Sequence, residues 1–486
     1  MMQSGLLGTA TGPAKLQNVT RIMEALTEDL QSGSLQPEKR EALLEELKIY
    51  GRDPSFADPI FTKDGIATLT KHAFDSSSDA TAQGALRVLC NALLLKPDTR
   101  EIFVSAGYDA KACQRLQRSD NSEDEFLVSR LLLLSTYATN VNVPKLVKEH
   151  GLADSLANNL ARHAARLSSE SSSKAKAQPM VEMALTETLK LFFNATQYAP
   201  NDIASFEPAT AHIITILRNA ALPSQQTKTP LNPPTPFDPP FGLLINALMN
   251  LHFSSSTAQE AVYPSSSPSS VADRLVHLLS LSMEAYTNSD LEQTVSPLVC
   301  ILSAVHEHAP DPVQKSIREA LLPTEADRQD VLGKADTLPS RLLRNWTNPE
   351  APELGKAISH LYFDMSDKDP HKFVENVGYG YASGFLFQKG INIAPDAIGD
   401  TNEVEGSDGV HEIRRPVNPI TGQFLDTERP VEMPEMTDEE KEREAERLFV
   451  LFERLKKTGI IDVQNPVVQA MQEGRFEDLP DDEELD

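Results

Sequence analysis

The feature that most constrains the fold is a long succession of helix-forming windows from about Lys15 to Ile391. Apolar residues recur in them at three- and four-residue steps, as in the windows 58–73, 79–95 and 179–198, and Gly, Pro, Asp and Ser separate the windows. No segment has a convincing strand pattern, and aromatic residues make up only 6% of the chain. The pattern predicts an all-α, armadillo/HEAT-like, right-handed helical solenoid, in which helical pairs pack on their neighbours.

Shifts in composition divide the chain into four parts. Residues 1–391 form the predicted solenoid, which is interrupted by polar loops at 168–176 and 222–240. Residues 392–435 are rich in Pro, Gly and acidic side chains and lack a helical period, so we predict a flexible or draped linker that contains the motif NPITG at 418–422. Residues 436–459 predict a C-terminal amphipathic helix, and residues 460–486 an acidic tail.

The predicted C-terminal helix has consistent signals at both ends. Thr437 and Glu440 form a capping box, acidic side chains occupy the first turn, and Gly459 follows the last turn. The apolar side chains lie on one face, which needs a surface to cover, either on the protein's own body or on a ligand that the body holds. The side chains that we expect to meet a partner are Leu448, Phe449, Phe452 and Leu455.

Polar side chains recur at the ends of three helical windows, where each apolar run stops at an asparagine. An amide has both a donor and an acceptor, so it can pair with the backbone of a bound peptide. In two windows a basic residue lies four positions before the asparagine, which places both on one helix face. The alternative is that these amides cap or pair locally and that the basic residues are ordinary solvated side chains. The predicted groove residues are Arg87, Asn91, Arg130, Lys190, Asn194 and Asn250.

Charge and composition exclude several classes of function. A net charge of −26, more than half of it in residues 392–486, argues against nucleic acid or an anionic membrane as the main partner. The polar N-terminus and the lack of a long apolar run predict no signal peptide or transmembrane segment. The three cysteines have no metal-binding or redox spacing, which is typical of a reduced intracellular protein. We therefore expect a cytoplasmic monomer without a metal or cofactor.

The glycine-rich stretch GYGYASG at 378–384 is the nearest approach to a catalytic or nucleotide-binding motif. Its spacing is GxGxxxG, no strand precedes it, and the chain contains no P-loop sequence. We interpret it as a tight turn in which small residues let helices pack closely. No nucleophile elbow or catalytic triad pattern is present, so the sequence does not indicate an enzyme that works by covalent catalysis.

Several motifs together resemble one family. They are LCN, LFFN and LMNLH in the helical windows, VENVGYGYASGFLFQKGI at 374–391, NPITG at 418–422 and MTDEEKEREAERLFVLFERLKKTGII at 436–461. This combination resembles the synembryn (Ric) family, chaperones and guanine-nucleotide exchange factors for the α subunits of heterotrimeric G proteins, in a form closer to fungal members.

The resemblance implies a specific mode of action. The concave surface of the solenoid would take the C-terminal helix of the α subunit, and the chain's own C-terminal helix would reach the Ras-like domain near its switch region. The protein would then promote GDP release by stabilising the nucleotide-free state, assist folding of the α subunit, and be recruited to the membrane periphery by this partner. The alternative is an armadillo-type scaffold or adaptor that binds peptides without affecting nucleotide exchange.

Overall fold

The computed structural model describes residues 10–168, 178–222, 235–287, 289–391 and 415–428, together with Thr437, Arg443 and Arg447. The chain forms two compact units, Met1–Thr427 and Glu428–Asp486. Apart from the isolated residues just named, the predicted C-terminal helix and the acidic tail lie outside the described residues. The predicted linker at 392–435 is described only from 415 to 428.

The first unit is built from α-helices. They are α1 (Gly12–Ser32), α2 (Pro37–Tyr50), α3 (Lys63–Phe74), α4 (Asp79–Leu95), α5 (Asp98–Ser105), α6 (Tyr108–Arg118), α7 (Ser122–Ser135), α8 (Val143–His150), α9 (Leu152–Ser168), α10 (Pro179–Tyr198), α11 (Pro208–Asn219), α12 (Phe241–Met249), α13 (Ser256–Val262), α14 (Ser270–Ala285), α15 (Ser289–His308), α16 (Asp311–Leu321), α17 (Leu338–Trp346), α18 (Pro352–Met365), α19 (Pro370–Val377) and α20 (Tyr379–Gln388). Within the described ranges, β pairing is limited to an isolated antiparallel bridge between Val417 and Phe424.

The helices stack in two parallel series. In the first, which we call the ladder series, α2, α4, α7, α10, α12, α15 and α18 each pack on the next. In the second series, α3, α6, α9, α11, α14 and α17 do the same, and cross-contacts such as α3 with α4 join the two series. Each helix therefore buries its apolar face mainly against near neighbours in sequence, which is how a solenoid is held together. The prediction of an all-α helical solenoid is confirmed.

The window 58–73, predicted as one helix, is divided in the structure. A 3-10 turn occupies Asp58–Phe61, and α3 begins only at Lys63. Thr62 lies between them in an extended conformation, and its hydroxyl accepts a hydrogen bond from the Gly65 backbone at 3.0 Å. Because this N-cap satisfies a donor of the first helical turn, α3 starts at the cap and not at the preceding proline-containing turn.

No helical window is predicted between residues 253 and 271, where the structure has α13. It is short and carries Ser, Thr and Gln without a clear apolar period. Its start is marked by Ser255, whose hydroxyl accepts from the Ala258 backbone at 3.3 Å. The capping residue Ser255 therefore indicates the start of α13 in the sequence, but the weak apolar period after it gave no reason to predict a helix.

An aromatic cluster lies among the last four helices of the first unit. The ring of Trp346, the only tryptophan in the sequence, lies 5.9 Å from Tyr362, 5.7 Å from Phe373 and 5.8 Å from Tyr381, measured between centroids. Tyr362 and Phe373 are fully buried. Because such stacked and tilted contacts add to the burial of large rings, this cluster ties α17, α18, α19 and α20 together.

Residues 415–427 belong to the same compact unit as the helices. The backbone amides of Tyr379 and Gly380 donate to the carbonyls of Pro419 and Ile420 at 2.7 and 3.0 Å, and the Leu332 amide donates to Thr421 at 3.2 Å. The part of the predicted linker that contains the NPITG motif is therefore bonded to the helical body. Sequence reasoning did not foresee this contact.

Two further properties of the described ranges bear on function. No helix there has both the length and the apolar content that crossing a lipid bilayer requires. Within the same ranges, no three His, Cys, Asp or Glu side chains come close enough together to hold a metal ion.

Candidate functional site

All six predicted groove residues lie on consecutive members of the ladder series. Arg87 and Asn91 are on α4, Arg130 is on α7, Lys190 and Asn194 are on α10, and Asn250 directly follows α12; these are the positions Arg87, Asn91, Arg130, Lys190, Asn194 and Asn250. Each of them is half-buried. The structure thus arranges them along one stack of helices, while their role in binding stays a prediction.

The basic residues of this stack are already paired with carboxylates. Arg87 forms an ion pair with Glu123 of α7. Glu187 of α10 accepts both from Arg130 of α7, at 3.5 Å, and from Lys190 of its own helix, at 3.1 Å. The Arg87–Glu123 pair is partly exposed on both sides and stabilises the fold by less than about 1 kcal/mol, whereas Glu187 is buried and its charge is compensated by its two basic partners. An acidic ligand would therefore have to exchange with these carboxylates rather than meet free cations.

The asparagines connect neighbouring helices of the ladder. The Asn194 amide nitrogen donates to the hydroxyl of Thr136, at the end of α7, at 2.7 Å. In the next step of the stack, the Asn250 nitrogen donates to Thr196 of α10 at 3.0 Å. The amide thus holds the threonine of the preceding ladder helix in both cases. The amide nitrogens of Asn194 and Asn250 are thus paired within the protein, while the Asn194 carbonyl oxygen accepts no hydrogen bond within the described ranges.

Large apolar side chains are exposed beside these amides. Leu94 near the end of α4, Tyr137 just after α7, Tyr198 at the end of α10 and Met249 at the end of α12 are 44%, 43%, 53% and 41% exposed. We call these four residues the apolar row. Exposed apolar groups that recur at equivalent places on successive helices indicate a binding surface, whereas single ones do not.

Sequence reasoning missed the apolar row, although a signal was present. Leu94 follows Asn91 by three residues and Tyr198 follows Asn194 by four, so each lies one helical turn beyond its asparagine. Both side chains extend past the last packed turn of their helices, which the pattern alone does not show.

A buried polar cluster supports the middle of the ladder. Glu125 of α7 is only 2% exposed, and its carboxylate accepts from His163 of α9 at 2.8 Å and from Thr188 of α10 at 2.7 Å. Arg162 of α9 approaches the other oxygen at 3.3 Å. Burial alone would raise the pKa of Glu125, but the hydrogen bond and charge of His163, with the contributions of Thr188 and Arg162, hold this pKa below its ordinary value.

The neighbouring residue, Asp124, bonds to other helices. Asp124 is 4% exposed and accepts from Gln83 of α4 at 3.0 Å and from Arg115 of α6 at 2.6 Å. Two consecutive buried carboxylates of α7 are therefore anchored to different neighbours. This fixes the rotation of a helix that also carries Arg130 and lies directly before Thr136.

Comparison with known proteins gives a consistent result. The family model described as Ric8, guanine nucleotide exchange factor synembryn, matches residues 43–475. A protein named chaperone Ric-8A from Macaca fascicularis is 24% identical over 477 residues, covering 92% of this chain and 86% of that protein. A synembryn-like chaperone from Schizosaccharomyces pombe is 28% identical over 247 residues, covering 47% of this chain and 45% of that protein.

A comparison with solved structures adds little. The structure of an engineered protein aligns with a TM-score of 0.37 and 16% identity, over 58% of this chain and 96% of that one. At this TM-score the likeness supports no argument about the fold or the site.

Proposed function

The chain belongs to the family of the guanine nucleotide exchange factor synembryn, and from this premise we propose that it binds α subunits of heterotrimeric G proteins, promotes their release of GDP and acts as their folding chaperone. The partner would be the GDP-bound or nascent α subunit, and its C-terminal helix would be the element that the solenoid binds.

The observation that carries this proposal is the apolar row beside the half-buried asparagines on α4, α10 and α12. An amphipathic helix binds through apolar side chains at i, i+3, i+4 and i+7, flanked by polar groups. Tyr137 and Tyr198 each combine a large apolar ring with a hydroxyl group. Such side chains suit a surface that is exposed to water in the free protein and buried when a ligand binds. The carbonyl oxygen of Asn194, which accepts no hydrogen bond from the residues that the structure describes, supplies an acceptor for a polar group of the ligand.

The exchange mechanism requires no contact with the nucleotide. If the protein binds the nucleotide-free α subunit more tightly than the GDP-bound form, linkage requires that GDP affinity falls by the same factor. The residues proposed to act are therefore those that bind the two ends of the partner: the ladder residues on the C-terminal helix, and the predicted C-terminal helix of this chain on the Ras-like domain. The same two contacts would hold an incompletely folded α subunit until nucleotide completes it.

Release of fluorescent GDP from a purified α subunit tests the function directly. We expect the full chain to accelerate release, because it stabilises the nucleotide-free state, and excess unlabelled GDP to shift the complex back towards the free α subunit. A peptide-binding adaptor would bind the α subunit and leave the release rate at its intrinsic value. That result would favour the scaffold alternative over exchange.

Replacing Tyr137 and Tyr198 together by Ser should weaken binding of a peptide that corresponds to the C-terminal helix of the α subunit. An aromatic anchor at the centre of an interface contributes about 2 kcal/mol or more, so the loss of even one of the two rings would lower the affinity about thirtyfold, and we expect the double variant to lose at least this much in calorimetry. Leu30 of α1 is also exposed but lies away from the row, so Leu30→Ser is the control. Equal affinity of the double variant and the control would place the peptide on another surface.

A further inference from the structure

The corner between α19 and α20 lacks a side-chain cap of its own. Gly378 precedes α20 as its N-cap residue and provides no side chain to accept from the first helical turn. The amides of Tyr379 and Gly380 find their acceptors instead in Pro419 and Ile420. The segment 415–427, which we call the clip, therefore supplies the N-terminal cap of a helix that is distant in sequence.

The clip is shaped for this contact by its own sequence. The Asn418 side-chain oxygen accepts from the amides of Ile420 and Thr421 at 2.8 and 3.2 Å, and the Gly422 amide donates to the Asn418 carbonyl at 2.9 Å. The turn directs the carbonyls of Pro419 and Ile420 towards α20. The NPITG motif is thus a folded turn with outward-facing acceptors.

Arg328 joins the clip to the end of α19. Its guanidinium donates to the Gly422 carbonyl at 2.9 Å and to the carbonyls of Glu375 and Asn376 at 2.9 and 3.0 Å. In return, the Phe424 amide donates to the carbonyl of Arg328 at 2.9 Å. One side chain therefore satisfies acceptors at the C-terminal end of a helix and in the clip at the same time, which the planar five-donor guanidinium permits.

Three glycines make room for the clip. A Cβ at Gly378 would lie 3.0 Å from the Ile420 oxygen, one at Gly380 would lie 2.9 Å from the same atom, and one at Gly422 would lie 2.3 Å from Leu332 Cδ1. Gly378 and Gly422 also have positive φ angles, of +79° and +70°. Gly378 and Gly380 of the GYGYASG stretch therefore permit the close approach of the clip backbone.

We propose that the clip is an intramolecular docking element, with Arg328 and Gly380 as positioning residues, and that its docking fixes the point at which the C-terminal segment leaves the helical body. The consequence for GDP release rests on the proposed function. A C-terminal segment that must reach a second site on the partner has a high effective concentration there only if the segment starts from a fixed point close to that site. Undocking would lengthen the tether and lower the release rate without altering the apolar row.

Gly380→Ala tests the docking selectively. Alanine is favoured over glycine within a helix, so α20 should form at least as well, while the new Cβ meets the clip at Ile420. Gly384→Ala is the matched control, because it lies in the same helix and a Cβ there meets nothing within 4 Å. A second pair is Arg328→Ala with Arg274→Ala as its control. Arg274 lies in α14, away from the clip, and its guanidinium also donates to two backbone carbonyls, those of Leu217 and Ala220.

The full-length variants are compared by hydrogen exchange and by GDP release. In Gly380→Ala and Arg328→Ala we expect exchange at the amides of Leu332, Tyr379 and Gly380 to accelerate about tenfold or more, with a slower GDP release and unchanged affinity for the α-subunit peptide. Both controls should retain wild-type protection of these three amides. Leu332 and Tyr379 serve as the reporters common to every variant, because residue 380 is itself replaced in one of them.

Three results would overturn the proposal or part of it. Wild-type protection in both test variants would show that the clip does not depend on these residues. Lost protection with an unchanged GDP release rate would remove the positioning role. If the wild-type chain itself does not accelerate GDP release, the proposed function fails. The hydrogen-exchange data would still decide whether the clip docks as described.

Discussion

A chain that ends at Thr427 is expected to bind the C-terminal-helix peptide of the α subunit with wild-type affinity but to accelerate GDP release at least about tenfold less than the full chain. The first compact unit ends at this residue, so the ladder and the clip remain intact. What is lost is the predicted amphipathic helix at 436–459. Burial of its four apolar side chains would contribute on the order of 1.5–3 kcal/mol each before the cost of ordering, which exceeds what a tenfold effect requires.

The cut at Thr427 separates two effects that a cut before Asn418 would combine. The shorter chain would lose the clip as well as the helix, because the residues that bond the clip to the helical body, from 419 to 424, lie beyond that cut. If the chain ending at Thr427 releases GDP at the full rate, the second contact with the partner is not made by the helix. A loss of peptide affinity would instead indicate that the helix takes part in the first contact.

Point substitutions in the full chain check the same result. Replacing Phe449 and Phe452 by Ser should reproduce the truncation, because both lie on the apolar face predicted by the helical period. Arg447 and Arg454 lie on the opposite face by the same period, and their replacement by Ser is the control. Equal release rates for the two double variants would contradict a contact made through the apolar stripe.

Helix positions were largely predictable from local signals. Helix α10 spans Pro179–Tyr198, as its window predicted, because Pro179 suits the first helical position and the apolar period continues to Tyr198. The same local signals wrongly joined residues 58–73 into one helix, because the apolar period runs across Thr62, whose cap makes α3 begin at Lys63. Local chemistry therefore specifies which segments are helical better than it specifies where each helix begins.

Contacts distant in sequence were not predictable. Arg328 and Gly422 are 94 positions apart, and nothing in either local pattern indicates that they meet. The ladder asparagines were found by their recurrence, yet the row of exposed apolar side chains beside them was not. Exposure at a helix end depends on where the neighbouring helices stop, and one helix's own sequence does not contain that information.

The rotation of helix α7 about its own axis could not be predicted from its sequence either. Its residues from Leu131 to Leu134 are all buried, so its hydrophobic pattern does not distinguish one face from another. The two buried carboxylates resolve the ambiguity. Asp124 bonds to α4 and α6, and Glu125 bonds to α9 and α10.

Glu125→Gln should therefore lower the stability of the first unit at neutral pH by about 3 kcal/mol, because it leaves His163 and Arg162 facing a neutral group in a buried site. The amide retains the shape of the side chain and an acceptor for Thr188, so no cavity contributes to the loss. We expect a clear drop in the thermal midpoint at pH 7, measured by circular dichroism.

The pH dependence separates the charge of Glu125 from its packing. Since its folded pKa is lowered, the carboxylate contributes stability that is fully present above the unfolded pKa of about 4.3 and is lost as pH falls through the folded pKa. The midpoints of wild type and Glu125→Gln should therefore converge in acid. Glu123→Gln, on the same helix with a partly exposed partner in Arg87, should cost less than about 1 kcal/mol. Equal effects of the two substitutions would mean that α7 is oriented by its apolar packing and that the ladder does not depend on the buried charge.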